Sequence, residues 1–395
     1  MEYNTIIIGS GVAGMTAALY LKRANVSVCV LEKDVPGGQI TRTSDIDNYP
    51  GFISIDGPDL ATKIYEQVIN LDIPYFYTEA LEIIVNDDIK IVKTKDHELK
   101  CKNIIIATGR SPRKLNVVNE DTLIGRGISY CAICDGSLYK DKKVAVIGGG
   151  RAALEESLYL SKICSNVTLI HRSNNFRADN SLLNEVKNQD NITVLTNKKV
   201  EKFTSVDNKI ASIIYTEENG SFQELVIDGC FIYIGQEPNT TNFSNLGILD
   251  SDGYIEVDEN YQTSVEGIFA CGNALHVHDL VDFVTEESVL AGRGAAKYLK
   301  GELNTSSALT KTANGNGISY VVPQTYRLDN VEDEITFKFR VRKPYHMVKV
   351  VIKADDEVIR TIVKPHMLPA EMEMLKVKKS LLKECSTLTF EIKEG

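Results

Sequence analysis

Residues 5–15, TIIIGSGVAGM, place a short apolar run directly before a glycine-rich turn at residues 9–14. The run predicts a buried strand over Thr5–Ile8, and the residues after the turn predict a helix over Met15–Arg23. A second apolar run, Val26–Leu31, ends at Glu32. A strand, a G-x-G-x-x-G turn, a helix and a second strand that ends in an acid are typical of an α/β domain that binds a dinucleotide.

Each small residue of this turn has a separate physical role. Gly9 permits the tight turn after the strand, Gly11 lets the backbone approach a pyrophosphate, and Gly14 lets the helix pack closely on the strand. The N-terminus of the helix then faces the phosphates, and Glu32 can accept hydrogen bonds from ribose hydroxyls. The flanking elements make this signal much more specific than the glycine pattern alone.

The same pattern occurs a second time. Strand Lys143–Ile147 is followed by the turn GGGRAA, in which Gly148, Gly150 and Ala153 occupy the three small positions, and a helix begins near Leu154. The next strand is predicted over Val167–Ile170. The chain therefore carries two nucleotide-binding units of the same type.

The second unit differs at the end of its second strand. Arg172 and Arg177 follow that strand where an acid follows in the first unit. Arginine at this place suits a ribose 2′-phosphate, so the sequence predicts NADPH as the second nucleotide and keeps NADH as an alternative.

Two further segments are assigned to the first nucleotide site. Strand Ile104–Ile106 ends in Ala107-Thr108-Gly109, and a later apolar run ends in Gly272-Asn273 before a helix predicted over Glu286–Leu299. The whole second unit separates these segments. The first domain is therefore predicted to be interrupted by the second.

Two of the eight cysteines differ from the others in their spacing. Cys131 and Cys134 lie in SYCAICDGS, with Asp135 directly after them. A C-x-x-C pair can lower one thiol pKa and resolve a mixed disulfide intramolecularly, and a neighbouring carboxylate can move the protons that exchange requires. A zinc site and a structural disulfide are the alternatives, but no second Cys/His pair has zinc spacing. A catalytic dithiol is the preferred interpretation.

Composition excludes some classes of protein. The formal net charge is −10, and no block of lysine and arginine stands out, which argues against nucleic acid as a partner. No apolar run approaches the roughly 20 residues that a membrane helix needs. The chain enters its first strand without a basic leader, so a cytoplasmic location is expected.

Over roughly residues 1–303 the chain resembles the low-molecular-weight thioredoxin reductases, which are pyridine nucleotide-disulfide oxidoreductases. The resemblance rests on motifs that occur in the order found in that family. They are GSGVAG (9–14), Gly37-Gly38-Gln39, Asn48-Tyr49-Pro50-Gly51, Ala107-Thr108-Gly109, Cys131–Gly136, GGGRAALEESLYLS (148–161), His171-Arg172, Phe176-Arg177, Tyr233-Ile234-Gly235 and Pro238-Asn239-Thr240.

The resemblance implies a fold and a set of domains. An FAD domain would comprise residues 1–112 and 243–303, and an NAD(P)H domain that carries the dithiol would comprise 113–242. Both would be Rossmann-like three-layer domains. Residues 304–317 are predicted to be a polar linker, and residues 318–395 a small all-β domain, because Ile335–Val341, Val348–Ile352 and Leu388–Ile392 alternate apolar and polar residues around a turn at Asp355-Asp356.

The resemblance also implies roles for individual residues. Cys134 would lie next to the flavin, Cys131 would attack the substrate disulfide, and Asp135 would serve as the acid–base group. The nicotinamide coenzyme would contact Gly148, Gly150, Ala153, Arg172 and Arg177. FAD would contact Gly9, Ser10, Gly11, Ala13, Gly14, Glu32, Gly38, Gln39, Asn48, Ala107, Thr108, Gly109, Gly272 and Asn273.

Function follows from these roles as an expectation. The chain would pass electrons from NADPH or NADH through FAD and the dithiol to a protein disulfide such as that of thioredoxin, and it would form a homodimer. Ferredoxin as the electron donor, a different disulfide as the acceptor, and a redox-sensing flavoprotein without steady turnover remain as alternatives.

Three departures from the family pattern bear on these expectations. Ser173 stands where the family has an arginine, which weakens the prediction of NADPH. Asn273 stands where the family has aspartate, and His276 and His278 follow it. The two histidines are interpreted as a solvated strand edge or as groups that tune the flavin or gate access to it, with metal binding by the cluster as a further alternative. No metal site is predicted. The third departure is the whole segment after residue 303, interpreted as a docking or oligomerisation module.

Overall fold

The computed structural model describes residues 2–43, 46–178, 180–369 and 371–394. The chain divides into two compact units. The first comprises Met1–Thr41, Asp45–Arg110 and Pro238–Gly395, and the second comprises Arg42–Ser44 and Ser111–Glu237. The first unit is therefore interrupted in sequence by the second.

A seven-stranded sheet forms the centre of the first unit. Its strands lie in the spatial order Tyr75–Tyr77, Val28–Glu32, Glu2–Ile8, Glu98–Ile106, Ile89–Lys93 and Glu82–Asn86, and Ile268–Ala270 also pairs with Glu98–Ile106. The first four strands in this order, from Tyr75–Tyr77 to Glu98–Ile106, pair with one another in parallel. The last two, Ile89–Lys93 and Glu82–Asn86, pair with their neighbours in antiparallel. The strands predicted at Thr5–Ile8 and Ile104–Ile106 are confirmed within longer strands.

Among the described residues, the α-helices of this unit are Val12–Arg23, Gly57–Ile69 and Val281–Leu299. The first begins directly at the glycine-rich turn, and most of its residues are buried. The last begins five residues before the predicted start at Glu286. The sequence pattern did not predict the first residues of this helix, because Asp282 and Glu286 interrupt the apolar periodicity there.

The second unit contains a five-stranded parallel sheet. Its strands lie in the order Ile192–Leu195, Asn166–Ile170, Lys143–Gly148, Gly229–Tyr233 and Ile128–Ser129. An antiparallel sheet of Lys199–Val206, Lys209–Thr216 and Phe222–Val226 belongs to the same unit. The helices are Glu120–Leu123, Ala132–Asp135, Arg151–Ser161 and Asn180–Lys187. Each glycine-rich turn thus follows a strand of a sheet that contains parallel strands, and begins a helix. The predicted α/β fold class is confirmed.

Strands dominate the C-terminal segment, which we define as residues 304–394 and which lies within the first unit. One sheet has the order Thr325–Tyr326, Thr310–Asn314, Thr387–Glu394, Tyr345–Ala354 and Glu357–Met367, and the other has Ile318–Val322, Glu334–Val341 and Glu373–Lys378. Phe337, Phe339 and Phe390 are fully buried in their shared core. The predicted hairpin turn at Asp355-Asp356 is confirmed, with Asp355 at a φ of 49°.

The predicted linker over 304–317 is wrong for residues 310–314. These residues form a strand that pairs in parallel with Thr387–Glu394 and antiparallel with Thr325–Tyr326. Their sequence, TKTAN, has few apolar residues, so the pattern indicated a loop. Pairing with strands distant in sequence overrides that local preference.

Among the described residues, no helix combines the length and the apolarity that a membrane span requires.

Gly14 provides a direct test of the first turn. A Cβ added at Gly14 would lie 1.9 Å from the carbonyl oxygen of Gly9, whereas one added at Gly11 would meet nothing closer than 3.9 Å. We expect Gly14→Ala to lower the free energy of unfolding by about 3 kcal/mol or more, because backbone would have to move. Urea unfolding of protein stripped of bound small molecules, followed by circular dichroism, measures this.

The matched control is Gly11→Ala, which we expect to lower the free energy of unfolding by less than about 1 kcal/mol. Equal losses in the two variants would show that the contact between Gly9 and Gly14 does not constrain the turn.

Candidate active site

Cys131 and Cys134 form a disulfide at the start of the short helix Ala132–Asp135. The sulfur atoms are 2.04 Å apart and the Cα atoms 5.3 Å apart. Cys131 is the N-cap residue, and its sulfur accepts a hydrogen bond from the backbone N–H of Cys134 at 3.2 Å. Cys131 is half-buried and Cys134 is exposed. The other described cysteines are free, and all except Cys385 are buried.

Ser129 links the carboxylate to the cysteine pair. Its hydroxyl donates to Oδ2 of Asp135 at 2.6 Å and accepts from the backbone N–H of Cys131 at 3.0 Å. Sequence reasoning missed this residue, although it lies two positions before Cys131. The arrangement holds Asp135 beside the disulfide in one orientation, as a proton-transfer group requires.

Tyr233 supports the same helix from the neighbouring sheet. Its hydroxyl accepts a hydrogen bond from the backbone N–H of Ala132 at 2.7 Å. Burial raises the pKa of Tyr233 well above its ordinary value, and the negative charge of Glu156 acts in the same direction. Tyr233 is therefore a neutral hydroxyl at physiological pH. It positions the cysteine helix and does not serve as a base.

The first glycine-rich turn forms a narrow cradle. A Cβ on Gly9, whose φ is +101°, would lie 2.5 Å from the carbonyl oxygen of Ala107. Glu32 accepts from the backbone N–H groups of Ser10 at 2.6 Å and of Asp34 at 2.8 Å. The acid predicted to bind ribose is thus held directly against the turn.

Other predicted residues gather at this turn. Gly38 lies beside Gly11, and a Cβ on Gly38 would be 3.1 Å from the Cα of Gly11. A Cβ on Gly272, whose φ is +74°, would be 2.7 Å from the Cβ of Ala13. Gly272 comes from a part of the chain more than 250 residues distant, which local pattern alone cannot place.

The remaining predicted residues of this site have different surroundings. The side-chain amide of Gln39 donates to the carbonyl oxygen of Arg110 at 2.7 Å. Asn239 donates to the carbonyl oxygens of Thr108 and Gly109, both at 3.0 Å. Asn48 is exposed, and no contact described in the structure joins it to the turn.

The cradle fits the diphosphate and ribose of a dinucleotide. The hydroxyl of Thr108 is buried without a hydrogen-bond partner among the described residues, and burying a hydroxyl in this way is costly. The helix Val12–Arg23 has no side-chain cap at its N-terminus. A ligand with anionic and hydroxyl oxygens would satisfy all of these groups.

The second glycine-rich turn is also open at its centre. Gly148 has a φ of +156°, and a Cβ there would lie 2.3 Å from the carbonyl oxygen of Tyr233, whereas a Cβ on Gly150 would meet nothing within 4 Å. Ala153 is fully buried beneath the turn. Helix Arg151–Ser161 has no side-chain cap. This turn can therefore receive a phosphate at a free helix N-terminus.

The residues after the next strand close one side of this turn. The backbone N–H of Arg177 donates to the carbonyl oxygen of Gly149 at 2.7 Å, and the side chains of Arg172 and Arg177 are exposed. Ser173 hydrogen-bonds Nε2 of His171 at 3.1 Å. Ser173, which stands where the family has an arginine, is thus hydrogen-bonded to its neighbour His171.

The two histidines after Asn273 are not a solvated strand edge, so that alternative is wrong. His276 is 2% exposed and His278 is 8% exposed, and both face Glu287. Sequence reasoning also missed Glu287 and Lys338, which are buried in the same cluster.

Comparison with known proteins places the chain in a family. A family model described as pyridine nucleotide-disulphide oxidoreductase matches residues 3–295. The chain belongs to this family and is an oxidoreductase, and the family uses flavin and nicotinamide cofactors.

Curated relatives agree with the family match. A thioredoxin reductase of Bacillus subtilis is 42% identical over 272 residues, which is 69% of this chain and 86% of the relative. A thioredoxin reductase of Listeria innocua is 40% identical over 301 residues, which is 75% of this chain and 94% of the relative.

Solved structures of similar proteins share the fold. The thioredoxin reductase of Lactococcus lactis is 36% identical with a TM-score of 0.66, and that of T. acidophilum is 30% identical with a TM-score of 0.63. Each match covers 76% of this chain and 99% of the other.

The contact between Ser129 and Asp135 leads to a prediction. We expect Ser129→Ala to lower kcat for NADPH-dependent reduction of a small aromatic disulfide about tenfold, because the carboxylate loses its orientation beside the cysteines. Steady-state absorbance assays measure the change. Ser137→Ala is the matched control, since Ser137 is exposed on the same segment; equal activity of the two variants would contradict the positioning role.

Proposed function

We propose that this protein is a flavin-dependent disulfide reductase that takes two electrons from NADPH and passes them through FAD and the pair Cys131–Cys134 to a thioredoxin-like protein. The observation that carries this proposal is the cysteine pair with Asp135 held beside it by Ser129. Membership of the pyridine nucleotide-disulphide oxidoreductase family supports it. The similarity to thioredoxin reductases supports the choice of acceptor.

FAD would be held at the first glycine-rich turn. Gly11 leaves room for its diphosphate, Glu32 lies where the ribose hydroxyls would be, and the unpartnered hydroxyl of Thr108 would gain a partner. Gly272 and Asn273 would complete the site from the turn that follows strand Ile268–Ala270. When bound, the flavin supplies the two-electron step between nicotinamide and disulfide.

NADPH would be held at the second glycine-rich turn. Gly150 leaves room for the diphosphate at the start of helix Arg151–Ser161, and the exposed guanidinium groups of Arg172 and Arg177 suit the 2′-phosphate. Because Ser173 cannot contribute a third guanidinium, the preference for NADPH over NADH should be moderate. This open turn also favours a nicotinamide donor over ferredoxin.

The cysteine pair and its neighbours would carry out the exchange. In the reduced pair, the thiolate of Cys131 attacks the partner's disulfide and releases one partner sulfur as a thiol after protonation. The thiolate of Cys134 then attacks Cys131, which reforms the disulfide and releases the second sulfur. Two electrons pass to the partner with two protons, and Asp135 is the nearby group that can exchange them.

The first test separates the electron donors. We expect anaerobic NADPH to bleach the visible flavin absorption within seconds, with NADH slower and reduced ferredoxin without effect. Stopped-flow absorbance of the purified yellow protein measures the three rates. Bleaching by ferredoxin alone would contradict the proposed coenzyme site, and a colourless protein that does not bind FAD would contradict the proposed function as a whole.

The two arginines supply the second test. We expect Arg172→Ala/Arg177→Ala to lower kcat/KM for NADPH at least tenfold and to change that for NADH less than threefold, because each charge-assisted phosphate contact contributes about 1.5–3 kcal/mol. Initial rates with each coenzyme measure the ratio. An equal loss with both coenzymes would show that the arginines do not contact a 2′-phosphate.

The third test concerns the different roles proposed for Cys131 and Cys134. We expect Cys134→Ser to form a stable mixed disulfide with thioredoxin through Cys131, because no second thiol remains to resolve it. Non-reducing electrophoresis and mass spectrometry detect the adduct. Cys131→Ser is the matched variant and should form none; an adduct through Cys134 instead would reverse the two assignments.

A further inference from the structure

A buried ionic cluster connects the C-terminal segment to the helix Val281–Leu299. Glu287 of that helix is completely buried, and Lys338 of strand Glu334–Val341 is 3% exposed. The ammonium of Lys338 donates to Oε2 of Glu287 at 2.7 Å. Nε2 of His276 lies 3.0 Å from the same oxygen.

The two carboxylate oxygens of Glu287 face different partners. Oε1 accepts a hydrogen bond from the backbone N–H of Gly272 at 2.8 Å. Gly272 lies against Ala13 of the first glycine-rich turn, and Asn273 accepts from both the backbone N–H and the imidazole of His278. Glu287 therefore joins the Gly272–Asn273 turn, which we place at the flavin, to a charge in the C-terminal segment.

The charges of the cluster require Lys338. Burial alone would raise the pKa of Glu287, but His278, Lys338 and His276 together hold it well below its ordinary value, so the carboxylate is ionised. Burial and the neighbouring His278 lower the pKa of His276 to about 4, which leaves that imidazole neutral at physiological pH. Burial alone would lower the pKa of Lys338, and Glu287 raises it above its ordinary value. Lys338 is thus a direct counter-ion of Glu287, alongside His278, whose Nε2 lies 3.2 Å from Oε2 of Glu287.

The side chains of His276, His278 and Glu287 also have the spacing of a metal site. Ligand atoms of His276, His278 and Glu287 lie within 4.8 Å of one another, and Nε2 of His278 lies 3.2 Å from Oε2 of Glu287. However, the ammonium of Lys338 already donates a hydrogen bond to Oε2 of Glu287. A second cation at that oxygen would be repelled, so the cluster is better described as a carboxylate with a tethered cation.

Further contacts hold the same stretch of chain from the C-terminal segment. Arg340 forms an ion pair with Asp279 and donates to the carbonyl oxygen of Val277 at 3.1 Å. The backbone N–H of Met372 donates to Oδ2 of Asp279 at 2.7 Å. Arg340 and Met372 lie beyond the stretch 3–295 that the family model matches, so the support that they give is an addition to the shared fold.

We propose that Lys338 is a positioning residue for the flavin site: it supplies the counter-charge that keeps Glu287 ionised and hydrogen-bonded to the Gly272–Asn273 turn. The C-terminal segment is then an integral part of cofactor binding. This inference rests on the proposed function, because it takes the Gly272–Asn273 turn to contact the flavin.

The test compares Lys338→Met with the double variant Glu287→Gln/Lys338→Met. Lys338→Met removes the ammonium that lies 2.7 Å from a completely buried carboxylate, so we expect the Kd for FAD to rise at least tenfold. In the double variant the neutral glutamine carbonyl can still accept from Gly272 and needs no counter-ion. We expect it to bind FAD within about threefold of the wild-type affinity. Titration of the flavin-free protein with FAD, followed by flavin fluorescence, gives the constants.

Lys364→Met is the matched control, since Lys364 pairs with Glu373 elsewhere in the same segment and is only partly buried. It should leave FAD affinity unchanged. If Lys338→Met fails to fold and the double variant folds and binds FAD, the charge argument is supported. If both variants fail alike, Lys338 contributes packing and the proposal is overturned.

Two other outcomes would overturn the proposal. Wild-type affinity in Lys338→Met would show that the counter-charge is not needed, while leaving the proposed function intact. Uptake of one Zn²⁺ per chain by the wild-type protein, abolished in Glu287→Gln and strengthened in Lys338→Met, would make the cluster a metal site. A wild-type protein that binds no FAD would instead refute the proposed function itself.

Discussion

The close approach of backbone to backbone at the first glycine-rich turn is the constraint on which the first unit depends. The start of helix Val12–Arg23 lies so near the preceding strand that a Cβ at Gly14 would overlap the carbonyl oxygen of Gly9. This contact leaves the N-terminal amide groups of the helix free and opens a cradle above them. Gly38, Ala107 and Gly272 then pack around the cradle from three other parts of the chain. The second unit has a similar close approach at Gly148, where a Cβ would lie 2.3 Å from the carbonyl oxygen of Tyr233.

The dithiol is built on a different principle from the two cradles. It lies on a helix of a single turn, where Cys131 is the cap and Cys134 is exposed, so the sulfur atoms are accessible to reaction partners. Hydrogen bonds from the surrounding sheet hold this turn, since Tyr233 accepts from its first N–H and Ser129 orients Asp135. An accessible pair on a rigid support suits exchange with another protein, because the thiols can be attacked without disturbing the core.

The C-terminal segment changes how the shared fold is stabilised. An ionised carboxylate without a partner would be very costly inside a protein, and Glu287 is completely buried. The C-terminal segment supplies Lys338 as its partner and Arg340 as the partner of Asp279. In this chain, the stretch from Gly272 to Glu287 is therefore held from two sides, by the first glycine-rich turn and by the C-terminal strands.

The sequence alone determined the two glycine-rich turns, their strands and helices, and the reactive cysteine pair, because each depends on residues within about 30 positions of one another. It also predicted the hairpin at Asp355-Asp356 from local alternation and turn chemistry. Only the tertiary structure decided that residues 310–314 form a strand, that Ser129 orients Asp135, and that Glu287 is paired with Lys338. The first and last of these depend on residues far apart in the chain. A buried polar group needs a partner, and a local sequence pattern does not indicate which distant residue that partner is.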